Sequence, residues 1–294
     1  MKNNIHIIIL SCVCLFVSFG LCDRGMIPVN PNVKIFEPNQ RAMIAWNGDE
    51  EILLLSTDVS ASESTMVLEV LPLPSEPQVK KGDLETFRKA TDLINSKISI
   101  APLARAGERT KGIPPPSGEV TFHKKIGAHD ISVTHLLNAN GFVDWVKEYL
   151  KSIGIEHEVI SNEMKELIDE YINGNFEWFV FDVITLTEET VTNEPIQYTF
   201  KTKSLFYPLK ITKTGEGNTS IELIILTPRL LADFPSLPIH RIALEHDPIT
   251  ITDEELRYLN EDMSGLLNDY KKMRLRIWKI EGELKSFDRD LIAR

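Results

Sequence analysis

The pattern of apolar and polar residues predicts several β-strands in the first three quarters of the chain. Residues 41–60 contain two apolar runs around Asn47-Gly48, a dipeptide that accepts the positive φ of a tight hairpin turn. The run at 176–186 is apolar on both faces, as is typical of a central strand. Further strands are predicted at residues 66–71, at 119–136 with a break at Gly127, and at 196–206 and 220–228.

Three segments have the spacing of amphipathic helices. Asp83 is a candidate N-cap for the first of them, and the other two follow each other closely. Because strands and helices come in blocks, without a regular βαβ alternation, we predict an α+β fold with a mixed or antiparallel sheet and packed helices. The predicted inner faces are Leu84, Phe87, Ala90 and Ile94; Phe142, Trp145, Val146, Tyr149 and Leu150; and Met164, Leu167, Ile168, Tyr171 and Ile172.

Residues 252–294 predict a long C-terminal helix. Thr252 and Glu255 have the spacing of a capping box, and the apolar residues that follow alternate between steps of three and four for five heptads. Such a narrow stripe predicts self-association or a partner helix; the alternative is that the first half packs on the rest of the protein. Gly265 weakens the helix prediction. The stripe is Leu256, Leu259, Met263, Leu266, Tyr270, Met273, Ile277, Ile280, Leu284, Phe287 and Leu291.

The N-terminal residues have the pattern of a secretory signal peptide. Lys2 is followed by an apolar run to Leu21, and small residues allow cleavage after Gly20 or after Cys22. Two alternatives remain, an uncleaved membrane anchor and a lipid-modified Cys22, although Leu21 and Phe19 fit a lipoprotein signal poorly. We therefore expect an exported protein (secreted, periplasmic or at the cell surface) that associates with a membrane only in those two cases.

The predicted organisation has four parts. Residues 1–22 are the signal peptide, 23–235 an α+β domain, 236–251 a connector and 252–294 the C-terminal helix. Within the domain, the segment 101–119 has four prolines and three glycines and predicts a mobile loop.

Composition excludes several kinds of chemistry. All three cysteines (Cys12, Cys14 and Cys22) lie in the predicted signal segment, so a cleaved chain keeps none of them, or only Cys22 at its very start. We therefore expect no disulfide, no cysteine nucleophile and no thiolate metal site. The net charge is −11, and no cluster of lysines and arginines is present, which argues against a nucleic-acid partner.

No motif identifies a reaction. The sequence has no nucleophile elbow, zinc-protease helix, phosphate loop or calcium loop. The evenly spaced His123, His129 and His135 are weak metal candidates, because Gly127 is expected to turn the chain between the first two. A second group, His240, Glu245, His246 and Asp247, has a spacing that suits neither a helix face nor a tight loop. We therefore predict no metal and no cofactor.

Two polar positions remain of interest. Asp182 lies within the apolar run 176–186, and a buried carboxylate must be paired or must have a raised pKa. Asn218-Thr219-Ser220 fits the acceptor pattern for N-glycosylation, which is common by chance.

The chain resembles a family of exported prokaryotic proteins catalogued as domain of unknown function 2330. The stretches that carry the resemblance are AMIAW, VLPLP, FVDWVKEYLKSIGI, LIDEYINGNFEWFVFDV, LFYPLKIT and IELIILTP, between residues 26 and 227. The resemblance implies that Pro72 and Pro74 belong to the fold and not to a linker. It implies no catalytic residue, since the family has no assigned reaction.

Two functions are consistent with these observations. The first is an exported, non-enzymatic binding or scaffolding module whose C-terminal helix self-associates or docks. The second is an exported hydrolase with a dispersed active site, which would use Asp182 or the late histidines. A deep cleft with converging polar groups around Asp182 would favour the enzyme.

Overall fold

The protein is built mostly from β-sheet. The computed structural model describes residues 24–37, 39–98, 122–155, 159–215, 217–231 and 242–294. Of these residues, 43% lie in strands and 27% in helices, and the five α-helices are short. The predicted fold class, α+β with a long C-terminal coiled-coil helix, is therefore wrong.

The bounds of the elements are as follows. The strands are Gly25–Pro28 (β1), Ile35–Phe36 (β2), Gln40–Trp46 (β3), Glu50–Ala61 (β4), Thr65–Leu73 (β5), Gln78–Lys81 (β6), Phe122–Ile126 (β7), His129–His135 (β8), Trp178–Leu186 (β9), Val191–Thr192 (β10), Ile196–Lys201 (β11), Leu205–Tyr207 (β12), Asn218–Thr227 (β13), Ile242–Leu244 (β14), Ile249–Thr252 (β15), Lys272–Glu283 (β16) and Leu291–Ala293 (β17). The helices are Leu84–Ile98 (α1), Ala139–Ser152 (α2), Asn162–Asn173 (α3), Asp253–Leu259 (α4) and Glu261–Leu266 (α5).

A five-stranded antiparallel sheet has the order β1-β5-β9-β8-β7. The predicted strand at 176–186 is confirmed as β9, in the centre of this sheet. Pro72 lies near the end of β5, where it pairs with Phe179 of β9. Strand β1 pairs with four earlier residues of β5. The N–H that Pro72 lacks is therefore not needed for the hydrogen bonds between β5 and β1. Helices α2 and α3 pack on one face of the sheet, where Phe142, Leu167 and Phe181 are fully buried.

A larger sheet has the order β14-β16-β13-β3-β4-β11-β6, with β2 and β10 on β4 and β15 on β16. Strands β13 and β3 are parallel, and the other pairs in it are antiparallel. The Asn47-Gly48 hairpin is confirmed between β3 and β4, with Gly48 at φ 110°. Helices α1, α4 and α5 cover part of its outer face.

The two sheets pack face to face. The layer between them contains alternate residues of each sheet, such as Leu71, Val133 and Val180 from the smaller one and Leu53 and Tyr198 from the larger one. The protein therefore has four layers: helices, five-stranded sheet, ten-stranded sheet, helices. Polar side chains that point into the middle layer are removed from water on both sides.

The C-terminal segment is not a helical arm. Its helical part ends early, because α4 stops at Leu259, and Asn260 takes extended backbone angles (φ −160°, ψ 124°) as N-cap of α5. Strand β16 then pairs with β13 over ten residues, with Arg274–Glu283 against Asn218–Thr227. The capping box at Thr252 and Glu255 is present, but it starts a helix of only seven residues.

The predicted partner-helix stripe does not exist as one helix face. Its residues lie in α4, α5, β16, β17 and the turns between them, and most are buried in the protein's own core. The buried members are Leu256, Leu259, Met263, Met273, Ile277, Ile280, Leu284, Phe287 and Leu291; Leu266 is partly buried and Tyr270 is 37% exposed. These side chains are therefore used inside the fold and are not available to a partner helix.

Several predictions fall wholly or partly outside the described residues. The signal peptide at 1–22 and the loop at 101–119 lie outside them, as do residues 236–241 of the connector. Within the described ranges, no helix has the length and apolar content needed to cross a membrane.

Candidate functional site

Two carboxylates face each other in the five-stranded sheet. Glu69 of β5 pairs directly with Asp182 of β9, and both side chains point into the layer between the sheets. Their strand neighbours of the same parity, Leu71 and Val180, belong to that middle layer, which fixes the direction of the two carboxylates. Two acidic side chains directly opposite each other repel, so this arrangement needs compensating cations.

His129 provides one of the compensating contacts. It is the first residue of β8, and its Nδ1 contacts Asp182 Oδ2. Its Nε2 lies 3.0 Å from the backbone oxygen of Glu194, and the N–H of Asp130 donates to Asp182 Oδ1 at 3.0 Å. Gly127 makes this turn possible: it has φ +60°, and a Cβ at this position would clash with the Glu194 carboxylate.

Arg24 provides the other cation. It precedes β1, and its Nη1 contacts Glu69 Oε2 and lies 3.8 Å from Asp182 Oδ2. Its guanidinium also lies 6.0 Å from the centre of the Tyr198 ring on the larger sheet. Arg24, Glu69, His129 and Asp182, which we call the buried charge cluster, are each no more than 4% exposed.

The cluster shifts the ionisation of its members. Burial raises the pKa of the Glu69 carboxyl, and the charge of Arg24 offsets only part of this effect, so the pKa stays above its usual range. Burial alone would lower the pKa of His129, but the charge and hydrogen bond of Asp182 outweigh it, and the pKa is raised. Each of these two groups therefore holds its proton more tightly than it would in water.

The cluster also contains potential metal ligands. Glu69, His129 and Asp182 each offer one ligand atom, and these atoms all lie within 4.8 Å of one another. Imidazole nitrogen and carboxylate oxygen are ordinary ligands of Zn²⁺. Glu69 Oε1 is buried and has no hydrogen-bond partner among the residues that the structure describes.

His129 and His135, the two members of the first histidine group whose side chains the structure describes, are not brought together. His135 lies on the surface, where it contacts Glu177 Oε2 at 2.9 Å and stacks on Trp178. His123 is in β7, and its side chain lies outside the described part, as does the whole of His240. His246 is used in the fold, since its Nε2 accepts the Ile277 N–H at 3.2 Å and its Nδ1 contacts the Asp247 carbonyl oxygen.

Sequence reasoning found Asp182 but missed its partners. Glu69 interrupts the apolar run VLEVLPL just as Asp182 interrupts FVFDVITL, and this repeated signal could have paired them. Arg24 carries no local signal. Thr219 of the glycosylation pattern is buried and accepts a hydrogen bond from Gln40 Nε2 at 2.9 Å, whereas Asn218 is exposed at the start of β13.

A second buried acid lies in the larger sheet. Glu51 of β4 is fully buried, and its Oε2 accepts the Phe206 N–H at 2.8 Å. Burial raises the pKa of this carboxyl well above its usual range, and the hydrogen bond from Phe206 opposes the effect only in part. No ion pair with Glu51 occurs among the described residues, so a protonated carboxyl is the form that suits this position.

An open hollow with a charged lining lies away from the buried charge cluster. It has a volume of about 510 Å³ and lies on the outer face of the larger sheet. Arg41, Glu222 and Lys279 form a row across β3, β13 and β16 at its floor, because Glu222 pairs with both of the others. The side-chain carboxylate of Glu222 forms no hydrogen bond or ion pair with the described residues, and burial raises the pKa of this carboxyl.

The chain belongs to a bacterial protein family. The profile of the family described as "Uncharacterized protein conserved in bacteria (DUF2330)" matches residues 20–236, which is most of the chain. The predicted resemblance is thus confirmed. No curated protein sequence matches the chain.

Solved structures show only distant likenesses. Baculovirus P35 has a TM-score of 0.44 at 8% identity, with 91% of this chain and 99% of P35 covered. P35 in a complex with caspase-8 gives 0.34 at 9% identity, covering 90% and 96%. A candidate nutrient-binding protein of Legionella pneumophila gives 0.32 at 10% identity, covering 94% and 70%. At these TM-scores the likenesses support no transfer of function.

Proposed function

We propose that this protein is an exported, non-enzymatic module that binds or scaffolds another molecule. The observation that carries the proposal is the sealed state of the buried charge cluster. Its four side chains include a histidine and two carboxylates, yet they lie buried between two sheets and form ion pairs with one another. A catalytic group must be reachable by its substrate, and this one is not.

The alternative hydrolase is disfavoured by the contacts of His129. A histidine that acts as general base needs one ring nitrogen free to take a proton from the nucleophile or from water. Here Nδ1 contacts Asp182 and Nε2 faces the Glu194 carbonyl oxygen at 3.0 Å. Both nitrogens are therefore engaged by other groups of the protein.

Chemical modification tests whether the cluster is sealed. Diethyl pyrocarbonate acylates accessible imidazoles, and peptide mass spectrometry separates His129 from His135, its exposed counterpart on the same strand. We expect His129 to react at least about 100-fold more slowly than His135 in the folded protein, because it must wait for local opening. Equal rates would support the hydrolase.

The binding surface that we propose is the charged hollow over β3, β13 and β16. Its alternating row of Arg41, Glu222 and Lys279 is open and suits a polar ligand or partner that carries both charges. Co-purification from the exported fraction should recover a partner with the wild type and at least about 10-fold less with Arg41→Ala/Lys279→Ala. Lys203→Ala, which removes an exposed pair with Asp49, is the matched control.

Export rests on the N-terminal sequence pattern. The family to which the chain belongs is bacterial, so an exported location would be the periplasm, the cell surface or the medium. The position of the mature N-terminus tests this part of the proposal separately.

A further inference from the structure

The arrangement around Glu69, His129 and Asp182 matches a metal site in its contacts as well as in its residue types. Metal-bound histidines usually donate their second ring N–H to a carbonyl or carboxylate, which fixes the tautomer. His129 Nε2 lies 3.0 Å from the Glu194 carbonyl oxygen. A carbonyl oxygen only accepts, so Nε2 carries the proton there and Nδ1 is the nitrogen turned toward the two carboxylates.

The contacts of the Glu69 and Asp182 carboxylates also match those of metal ligands. The Asp130 N–H donates to Asp182 Oδ1 at 3.0 Å, which leaves Oδ2 directed toward His129. Glu69 Oε1 is buried and without a hydrogen-bond partner in the described ranges, an arrangement that costs free energy unless something binds there. Each of the three residues thus presents one ligand atom to the same small space.

Arg24 places a cation beside this space. Its Nη1 contacts Glu69 Oε2 and lies 3.8 Å from Asp182 Oδ2. Arg24 directly precedes β1, a strand of four residues at the edge of its sheet, whose one partner among the described strands is β5. A short edge strand opens at a small fraction of the cost of global unfolding, so Arg24 can leave without loss of the fold.

We propose that Glu69, His129 and Asp182 form a binding site for a divalent cation of the Zn²⁺ class, and that Arg24 and the ion are alternative occupants. When the ion binds, Nδ1 of His129 and the carboxyl of Glu69 give any proton that they hold to solvent, and the two carboxylates exchange Arg24 for the metal. The site is structural: it would lock the smaller sheet to the loop that carries Glu194. It is independent of the binding function proposed above.

Zinc titration of the full chain tests the proposal. Arg24→Gln removes the competing charge, and we expect it to bind one Zn²⁺ at least about 10-fold more tightly than the wild type, a change typical of residues just outside a metal's ligands. Adding His129→Gln should weaken this binding more than about 100-fold, since a ligand is lost. Adding His135→Gln to Arg24→Gln instead should leave zinc binding unchanged, because His135 lies on the same strand but at the surface.

Isothermal titration calorimetry measures the affinity, and the midpoint of thermal unfolding reports whether zinc stabilises the fold. If Arg24→Gln folds but binds no zinc, or if His129→Gln and His135→Gln have equal effects, the site does not exist. If the wild type and Arg24→Gln bind equally, Arg24 does not compete. Should Arg24→Gln fail to fold, zinc must restore its folding; an unfolded variant at every zinc concentration overturns the proposal.

Discussion

Glu69 and Asp182 lie directly opposite each other on adjacent antiparallel strands, and both carboxylates are buried between the two sheets. Like charges in this position normally destabilise a sheet. Here Arg24 contacts Glu69 and His129 contacts Asp182, so that each of the two carboxylates has a cationic or hydrogen-bonding partner. Removing one cation should therefore cost much more than removing an exposed ion pair.

The first prediction concerns Arg24. In the presence of a metal chelator, Arg24→Gln should lower the free energy of unfolding by about 3–5 kcal/mol, because it leaves a buried carboxylate without its counterion. Arg41→Gln, which removes a pair with Asp58 at 3.4 Å, should cost about 0–1 kcal/mol. Urea unfolding of both variants gives the comparison. Equal costs would show that the Arg24 network is not buried as described.

The second prediction concerns pH and Glu51. The pKa of this carboxyl in the folded state lies well above the unfolded value of 4.5, so the folded state holds the proton more tightly. The stability that this group contributes is therefore present at low pH and is lost as pH rises above 4.5 toward the folded pKa. Glu51→Gln keeps an acceptor for the Phe206 N–H and has no charge to bury.

Denaturant titrations at pH 5 and pH 8 check this sign. Glu51→Gln should gain stability relative to the wild type between pH 5 and pH 8. Glu50→Gln, at the neighbouring, less buried position, should leave the pH dependence of the wild type unchanged. If the stability of the wild type rises from pH 5 to pH 8 and the stability of Glu51→Gln rises equally, the pKa of Glu51 is not raised in the folded state.

The third prediction distinguishes the observed sheet from a helical arm. Ile280 and Tyr270 both belong to the predicted heptad stripe, but Ile280 is fully buried and Tyr270 is 37% exposed. Ile280→Ala should cost about 2–5 kcal/mol, as for a large core side chain. Tyr270→Ala loses only a hydrogen bond to the Asn47 carbonyl and should cost about 1 kcal/mol.

Truncation provides a second test of the same point. Deleting residues 272–294 removes β16 from its pairing with β13, so cooperative unfolding should disappear. Circular dichroism and thermal unfolding would show it. A truncated chain that unfolds as cooperatively as the full chain would instead support a separate C-terminal unit.

The fourth prediction concerns export. The protein recovered from outside the cytoplasm should begin at Leu21 or Asp23, as the small residues before the two cleavage points indicate. Intact-mass spectrometry measures the N-terminus directly. An intact Met1 would identify a membrane anchor, and a diacylglycerol on Cys22 would identify a lipoprotein.

Local sequence signals predicted the elements whose formation depends on nearby residues. The Asn47-Gly48 turn, the amphipathic faces of α1, α2 and α3 and the apolar run of β9 all follow from short patterns, and the structure contains each of them. The capping box at Thr252 was also correct, because it too depends on four consecutive residues. The prediction was wrong at Leu84, which belongs to the predicted inner face of α1 but lies at its first residue and is 40% exposed.

The sequence by itself therefore determined the turns, the first three helices and the central strand, and tertiary structure decided the rest. Met273, Ile277 and Ile280 fit a heptad, but Leu275 is buried as well, and burial at every second residue is the period of a strand. Pairing with β13 selects the strand period, and this choice is not visible locally because β13 lies far away in the chain. The buried charge cluster has the same origin: Arg24 and Glu69 are 45 residues apart and His129 and Asp182 are 53 apart, so only the register of the sheet brings them into contact.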